Sequence, residues 1–176
     1  VYYEVVGFTD TGAPIMASAS NKKLNDKAFI KQYGETTTFS YGCSPTGYNT
    51  YPDGSHEKVP QSELYVYRMT MTNEDGDVVE YSPDFMRYRC EQMGCKTVPV
   101  MWKGFADETI DWNDAGMTAG EWVMEKAEQY YAGPDPIGKT HTREGVVVRI
   151  VNKPKFCAYK HKNFEFKCLE GLVKAE

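Results

Sequence analysis

Two short segments late in the sequence carry residue types that could act on a phosphate: Glu144-Gly-Val-Val-Val-Arg149 and Lys160-His-Lys162. Successive side chains of a strand point to opposite faces, so Lys160 and Lys162 are expected to point the same way. Two neighbouring ammonium groups repel each other unless a negative group lies between them, and a phosphate fits. The upstream Glu144 could hold a divalent metal or orient a reacting group. The combination suggests nucleotide phosphate chemistry.

The formal net charge of −5 hides a strong asymmetry along the chain. Residues 139–176 hold nine Lys or Arg and four Asp or Glu, a local balance of +5. Residues 1–138 hold eleven basic and twenty-one acidic residues, a balance of −10. A basic segment on an acidic protein suits an anion site, because the local field attracts the ligand. A solvated charged face explains the same pattern equally well.

Length and composition bound the class of protein. A chain of 176 residues with 41% hydrophobic and 26% charged residues is typical of one globular domain. The longest apolar runs, such as Val98 to Trp102, are too short to cross a bilayer. Five scattered cysteines without CxxC pairs argue for reduced thiols in the cytoplasm, and against a disulfide framework or zinc site.

Hydrophobic periodicity and turn signals predict the elements that position these residues. Strands are predicted over 1–8, 63–72, 78–81, 97–102, 145–151 and 155–162, helices over 22–33, 83–94 and 118–131, and a long loop over 42–62. Because 145–150 is apolar on both strand faces apart from Arg149, that strand is expected to be central and buried. The order of elements predicts an α+β fold of mostly antiparallel sheets with flanking helices.

Four segments resemble motifs of the covalent nucleotidyltransferases, which include ATP-dependent DNA ligases, RNA ligases and mRNA capping enzymes. Glu144–Arg149 resembles motif IV and Lys160-His-Lys162 resembles motif V. Upstream, Val1-Tyr-Tyr-Glu-Val-Val-Gly7 resembles motif III and Leu64-Tyr-Val-Tyr-Arg68 resembles motif IIIa. The motifs stand in the family's order. The resemblance therefore implies that residues 1–176 form part of an ATP-grasp-like nucleotidyltransferase domain, from motif III to motif V.

The resemblance also implies roles for particular side chains around ATP and its AMP intermediate. Glu4 would hydrogen-bond the ribose hydroxyls, and Tyr67 would stack on adenine. Tyr65 shares the predicted face of Tyr67, so the stacking residue could be either one. Glu144 would bind Mg²⁺ or Mn²⁺, directly or through water.

The two lysines complete that implied site. Lys160 and Lys162 would neutralise the α-phosphate as charge develops during attack. Arg149 and His161 are expected to point away from the lysines and to be structural or RNA-facing.

Within the superfamily the resemblance is greatest to the RNA ligase 2-like, phage-type group. It rests on the motif V tail from Lys160 to Lys167 and on Thr97-Val-Pro-Val-Met-Trp-Lys-Gly104. The implied partner is RNA, either a nicked duplex or a broken tRNA. Neither a membrane nor an obligate protein partner is implied, and the expected location is the cytoplasm of a bacterial or phage-infected cell.

The nucleophilic lysine of the family is missing. Motif I, Lys-x-Asp/His-Gly, should precede motif III, which here begins at Val1. Lys31-Gln-Tyr-Gly34 follows motif III and is better explained as a helix end with its C-cap glycine. Motif IIIa also departs from the family, with Arg68 where an acidic residue often stands. The chain is therefore expected to be the C-terminal part of an adenylyltransferase domain. By itself it is expected not to be adenylylated, and so to be inactive as an ATP-dependent ligase.

Three other hypotheses stay open at this point. The chain could belong to an ATP-dependent DNA ligase or a capping-type nucleotidyltransferase. It could instead be a non-catalytic module that binds nucleotide or nucleic acid through residues 139–176. It could also be a charged β domain in which the motifs occur by chance.

Overall fold

The computed structural model describes residues 1–15, 39–105, 116–139, 141–151, 153, 155–170 and 172–174. Within these ranges the chain is α+β, with small, mostly antiparallel sheets and few helices. None of the helices in the described ranges is long and apolar enough to span a bilayer. The predicted helix over 22–33, and Lys31 with it, lies outside the described residues.

The described strands and helices are numbered in chain order. The strands are β1 Tyr2–Gly7, β2 Tyr48–Thr50, β3 His56–Lys58, β4 Ser62–Arg68, β5 Thr70–Thr72, β6 Val78–Glu80, β7 Lys96–Thr97, β8 Gly145–Ile150 and β9 Cys157–Lys162. The helices are α1 Pro83–Gln92, α2 Ala119–Tyr131 and α3 Phe164–Glu170.

The first sheet has the order β1-β4-β7. β1 and β4 are antiparallel, with Glu4 opposite Tyr65, and β7 lies parallel to β4. The prediction of one strand over 63–72 is wrong, because the buried Met69 interrupts it and β5 pairs with β6 in a separate hairpin. The strand predicted over 97–102 is also wrong beyond Thr97, where Pro99 has no N–H group to donate to a ladder.

Both faces of β4 are covered by core side chains. On one face Tyr65 packs with three buried residues: Val6, Phe8 and Cys43. The next residue, Val66, points to the other face and packs with Met69, Met86 and Cys90. Met86 and Cys90 are one helical turn apart, so α1 presents a single apolar edge to the sheet.

Both predicted helix starts in the described ranges are confirmed. Ser82 caps α1 by accepting a hydrogen bond from the backbone N–H of Phe85 at 3.2 Å. Thr118 and Glu121 form the predicted capping box of α2: the Thr118 hydroxyl accepts from the Glu121 N–H at 3.2 Å, and the Glu121 carboxylate accepts from the Thr118 N–H at 2.6 Å.

The segment predicted as a long loop, 42–62, contains the β2–β3 hairpin. Tyr48 pairs with Lys58 and Thr50 with His56, and all residues of both strands are exposed. Hydrophobic alternation could not reveal these strands, because neither of their faces is buried.

β8 and β9 form an antiparallel hairpin in which Gly145 lies opposite Lys162 and Val147 opposite Lys160. The prediction of a central, buried strand is wrong: among the described residues β8 pairs with β9 alone, and Val147 is 60% exposed. Helix α2 packs against both strands of this hairpin. The face of the hairpin that carries His161 therefore packs against α2, and the opposite face carries Lys160 and Lys162.

Gly145 has a conformation and a contact that only glycine tolerates well. Its φ is +141°, and a Cβ there would overlap the His161 carbonyl oxygen and lie 2.8 Å from the Lys162 Cα. The missing side chain therefore allows β9 to approach β8 at the point where Glu144 enters the hairpin.

We expect Gly145→Ala to lower the free energy of unfolding by about 2 kcal/mol or more, from backbone strain and overlap with β9. Gly120→Ala, in the first turn of α2 where a Cβ would meet only ordinary contacts, is the matched control and should be neutral or slightly stabilising. Urea unfolding followed by circular dichroism measures both. Equal stability of the two variants would show that the approach at Gly145 does not constrain the hairpin.

Candidate functional site

The structure brings the sequence-predicted carboxylate and lysines together. The Lys160 ammonium lies 2.5 Å from Oε1 of Glu144, and the Lys162 ammonium lies 3.5 Å from the same oxygen. As the spacing of two predicts, both lysines point from β9 to one side of the hairpin. The negative group between them is the chain's own carboxylate, so a phosphate here would share the ammonium groups with Glu144 or displace it.

The two lysines differ in how freely they can meet a ligand. The Lys160 side chain is 56% exposed, whereas that of Lys162 is 21% exposed. The Lys162 ammonium also lies over the ring of the buried Phe166, 5.5 Å from its centroid. Lys162 is thus held by its surroundings, and Lys160 can turn toward a phosphate.

A buried polar layer holds the backbone of Glu144 in place. The Asn163 N–H donates to the Glu144 carbonyl at 2.8 Å, and the Asn163 side chain accepts from the Glu165 N–H at 2.9 Å. The Thr142 hydroxyl donates to the Glu165 carboxylate at 2.9 Å. The backbone of Glu144 and the first turn of α3 are therefore tied to one hydrogen-bonded layer, which the sequence reasoning missed.

His141 lies in this layer and is 2% exposed. Its Nδ1 donates to the Thr142 carbonyl at 2.9 Å, and Phe39 and Tyr41 present their rings to it at centroid distances of 4.5 and 4.7 Å. Among the described residues its Nε2 finds no hydrogen-bond partner. Burial lowers the pKa of the imidazole, opposed by its bond to Thr142 and by the charge of Asp135. His141 is therefore neutral near pH 7.

Tyr41 links this layer to the first sheet. Its ring packs against the core cluster that contains Val6 and Tyr65, and also against His141. Burial, followed by the negative charges of Glu144, Asp135 and Glu4, raises the pKa of the Tyr41 hydroxyl far above its ordinary value. The carboxylates predicted from motifs III and IV therefore act on one phenol group, although they come from different sheets.

The β1–β4 pair distinguishes the two candidate stacking tyrosines. Tyr65 is 8% exposed and belongs to the core, whereas Tyr67 is 38% exposed and lies 6.4 Å from the Tyr2 ring. Glu4 is exposed and opposite Tyr65, so it shares a sheet face with both tyrosines. Of the two, only Tyr67 has a ring available to a base.

The expectation that Arg149 points away from the lysines is wrong. Arg149 pairs with Ala158, which places it on the face of Lys160, and its guanidinium crosses to donate to the Tyr81 carbonyl at 2.8 Å. His161 does lie on the opposite face, with its ring centroid 4.8 Å from that of Tyr131 in α2. Arg149 therefore connects the hairpin to the segment that leads into α1.

Arg68, the departure in motif IIIa, belongs to the same connection. Its Nε donates to both carboxylate oxygens of Glu80, at 2.9 and 3.1 Å, and Arg149 lies 3.7 Å from that carboxylate. The Arg68 guanidinium also lies over the rings of Tyr2 and Phe156, at 4.4 and 4.3 Å. Arg68 follows the aromatic Tyr67, at the position where the family often has an acidic residue. In this chain Glu80 of β6 places a carboxylate beside it.

A second phosphate-binding pattern is present in the sequence but not in the fold. Gly133-Pro-Asp-Pro-Ile-Gly138-Lys139-Thr140 has the spacing of a phosphate-binding loop. The segment follows a helix and precedes a strand, the reverse of the order such a loop needs. The buried Asp135 carboxylate also accepts from the Ile137 and Gly138 N–H groups, at 2.9 and 2.6 Å. Those amides are therefore already bound.

Glu144 is the residue that the resemblance implies as a metal ligand. Among the described residues no group of three or more His, Cys, Asp or Glu side chains is placed to hold a metal. Glu144 by itself supplies hard oxygen ligands from one side chain. Mg²⁺ usually takes one or two carboxylates together with phosphate oxygens and water, so the residues fit a metal that arrives with a nucleotide.

The comparisons with known proteins add no family. The chain matches no protein-family model, no curated protein and no solved structure. The resemblance to nucleotidyltransferases therefore rests on the four sequence motifs alone.

We expect His141 to make the fold sensitive to acid. Unfolded His141 takes up a proton near pH 6.5, whereas the folded residue does so only at lower pH. The free energy of unfolding should therefore fall as the pH drops below about 6.5, by up to about 1.4 kcal/mol per pH unit from this group. Urea unfolding at pH 7.5 and 5.5 measures the slope. It should be smaller in His141→Gln and unchanged in His56→Gln, which alters an exposed histidine; equal slopes in all three proteins would contradict the assignment.

We expect Glu80→Gln to lower the free energy of unfolding by about 1–3 kcal/mol, because two half-buried guanidinium groups lose their common counterion. The matched control is Asp84→Asn, which also removes a carboxylate between two cations, Arg87 and Lys103, but at an exposed site. That change should cost about 1 kcal/mol or less. Equal losses in urea unfolding would show that burial of the Glu80 cluster is unimportant.

Proposed function

We propose that this chain forms the nucleotide-binding part of an ATP-dependent RNA ligase, which seals RNA ends through lysyl-AMP and an adenylylated 5′-phosphate. The observation that carries the proposal is the contact of Glu144 with both Lys160 and Lys162, 2.5 and 3.5 Å from one carboxylate oxygen. These residues come from the segments that resemble motifs IV and V. They are adjacent only because β8 and β9 pair in this register.

The two lysines suit the α-phosphate of the nucleotide. Two ammonium groups on one face can hold separate oxygens of a phosphate, and they gain most when its negative charge increases in the transition state. A bound Mg²⁺ or Mn²⁺ would neutralise further phosphate charge and lower the cost of bringing two anionic groups together. Glu144 would hold that cation and keep the lysines oriented before the nucleotide arrives.

The ribose and base would bind on the first sheet. Glu4 can accept from ribose hydroxyls, and Tyr67 has an exposed ring for stacking on adenine. Tyr41 packs against the core of the first sheet and against His141, three residues before Glu144, which supports the placement of one nucleotide between the first sheet and the hairpin.

The lysine that would attack ATP is not among these residues. The sequence contains no Lys-x-Asp-Gly or Lys-x-His-Gly segment. That lysine is needed to make lysyl-AMP and to pass AMP to the 5′-phosphate, but it takes no part in the final step. There the 3′-hydroxyl oxygen bonds to the 5′-phosphorus, the bond from that phosphorus to AMP breaks, AMP leaves with the negative charge, and the hydroxyl proton passes to solvent.

The final step therefore tests the proposal with the chain as it is. The substrate is a nicked duplex with a 3′-hydroxyl and a pre-adenylylated 5′-phosphate, supplied with Mg²⁺ and no ATP. We expect the chain to seal this RNA nick, measured as the longer strand on a denaturing gel. Lys160→Ala, Lys162→Ala and Glu144→Ala should each reduce the rate by about 100-fold or more. The lysines supply positive charge to the leaving phosphate, and Glu144 would hold the cation and orient both lysines.

Two controls separate the alternatives. Lys58→Ala, on the exposed β2–β3 hairpin, should seal at the wild-type rate. Incubation with labelled ATP and Mg²⁺ should leave no covalent adduct, and an adduct on Lys31 would contradict the proposed absence of the nucleophile. Faster sealing of an equivalent DNA nick would favour a DNA ligase. AMP binding without any sealing would favour the non-catalytic binding module, which the basic segment 139–176 supports.

A further inference from the structure

Tyr41 lies where the first sheet and the Glu144 segment meet. Its ring packs against the cluster that contains Val6, and Val6 shares a strand face with Glu4 two residues before it. Its other contact is His141, 4.7 Å away between ring centroids and three residues before Glu144. The phenol group is therefore between the residues of motif III and those of motif IV.

The backbone holds Tyr41 in a conformation that is rare for a residue with a Cβ. Its φ is +49°, in the left-handed region. The Gly138 backbone lies directly against it: a Cβ on Gly138 would be 3.1 Å from the Tyr41 Cα and 2.8 Å from the Gly42 nitrogen. The Cys43 N–H donates to the Ser40 carbonyl at 2.9 Å, which closes a β-turn with Tyr41 and Gly42 at its centre and fixes the position of Tyr41.

The charges around Tyr41 determine which part of a nucleotide can approach it. Burial, followed by the negative charges of Glu144, Asp135 and Glu4, raises the pKa of the Tyr41 hydroxyl, which therefore stays protonated and can donate a hydrogen bond. These negative charges disfavour a phosphate beside Tyr41, whereas the ammonium groups of Lys160 and Lys162 attract one. The position beside Tyr41 therefore suits a neutral group rich in hydroxyls.

We propose that Tyr41 is a specificity-determining residue that donates a hydrogen bond to a ribose hydroxyl of the bound nucleotide, beside Glu4 as the acceptor. A ribose hydroxyl can both donate and accept a hydrogen bond. It can therefore accept from the Tyr41 phenol and donate to the Glu4 carboxylate. A deoxynucleotide that lacks this hydroxyl would leave both protein groups unpaired, and such sites discriminate strongly. This inference rests on the proposed function, because it needs a nucleotide between Glu4 and the lysines.

The test compares nucleotide affinities by isothermal titration calorimetry with AMP, 2′-deoxy-AMP and 3′-deoxy-AMP as probes. Wild-type protein should bind AMP more tightly than at least one of the deoxy analogues. Tyr41→Phe keeps the ring and removes the hydroxyl; it should weaken AMP binding about 3- to 10-fold and leave the affinity for that analogue unchanged within about twofold. Tyr48→Phe, at an exposed tyrosine of β2, should leave all three affinities unchanged.

Each remaining outcome overturns a stated claim. If the wild-type protein binds no AMP, the proposed function fails and this inference fails with it. If the wild-type protein binds AMP and both deoxy analogues equally, the inference fails and the proposed function stands. That measurement does not depend on any variant folding. If Tyr41→Phe retains the wild-type preference for AMP, or weakens the binding of all three nucleotides equally, the Tyr41 hydroxyl does not bind the ribose hydroxyl.

Discussion

The close approach of β9 to Gly145 is the constraint on which the rest of the candidate site depends. No side chain fits between Gly145 and the backbone around Lys162, so the two strands pair in one register. A slip by one residue would turn every side chain of β9 to the opposite face. In this register the residue opposite Lys162 is a glycine, which has no Cβ to overlap β9. The same register places Lys160 and Lys162 around the Glu144 carboxylate.

Electrostatics divides the region around that carboxylate into two parts. On one side two ammonium groups offer a place for an anion. Near Tyr41, burial and the negative charges of Glu144, Asp135 and Glu4 raise the pKa of the phenol. A third cluster, Glu80 between Arg68 and Arg149, joins the first sheet and the hairpin through partly buried ion pairs. The charges therefore both hold the two sheets together and set the polarity of the space that a nucleotide would enter.

The elements that sequence reasoning predicted well are those with local causes. Helix α1 begins at Ser82 because a serine before proline is a good N-cap, and α2 begins at a capping box formed by Thr118 and Glu121. The errors have non-local causes. The interruption at Met69 and the shortness of β7 depend on what packs against β4. The exposed β2–β3 hairpin has no hydrophobic pattern to detect. The helix α3, which buries Phe166 under Lys162, was missed altogether.

The sequence by itself determined which residues have the chemistry: a carboxylate before an apolar strand, two lysines at a spacing of two, and a glutamate preceded by two tyrosines. Alternation along a strand is a local property, so it was enough to orient Lys160 and Lys162 alike. Only the tertiary structure decided that Glu144 is their counterion, that Tyr65 is buried while Tyr67 is exposed, and that Tyr41 and His141 lie beside the site. Those facts depend on contacts between residues far apart in the chain, which no local pattern encodes.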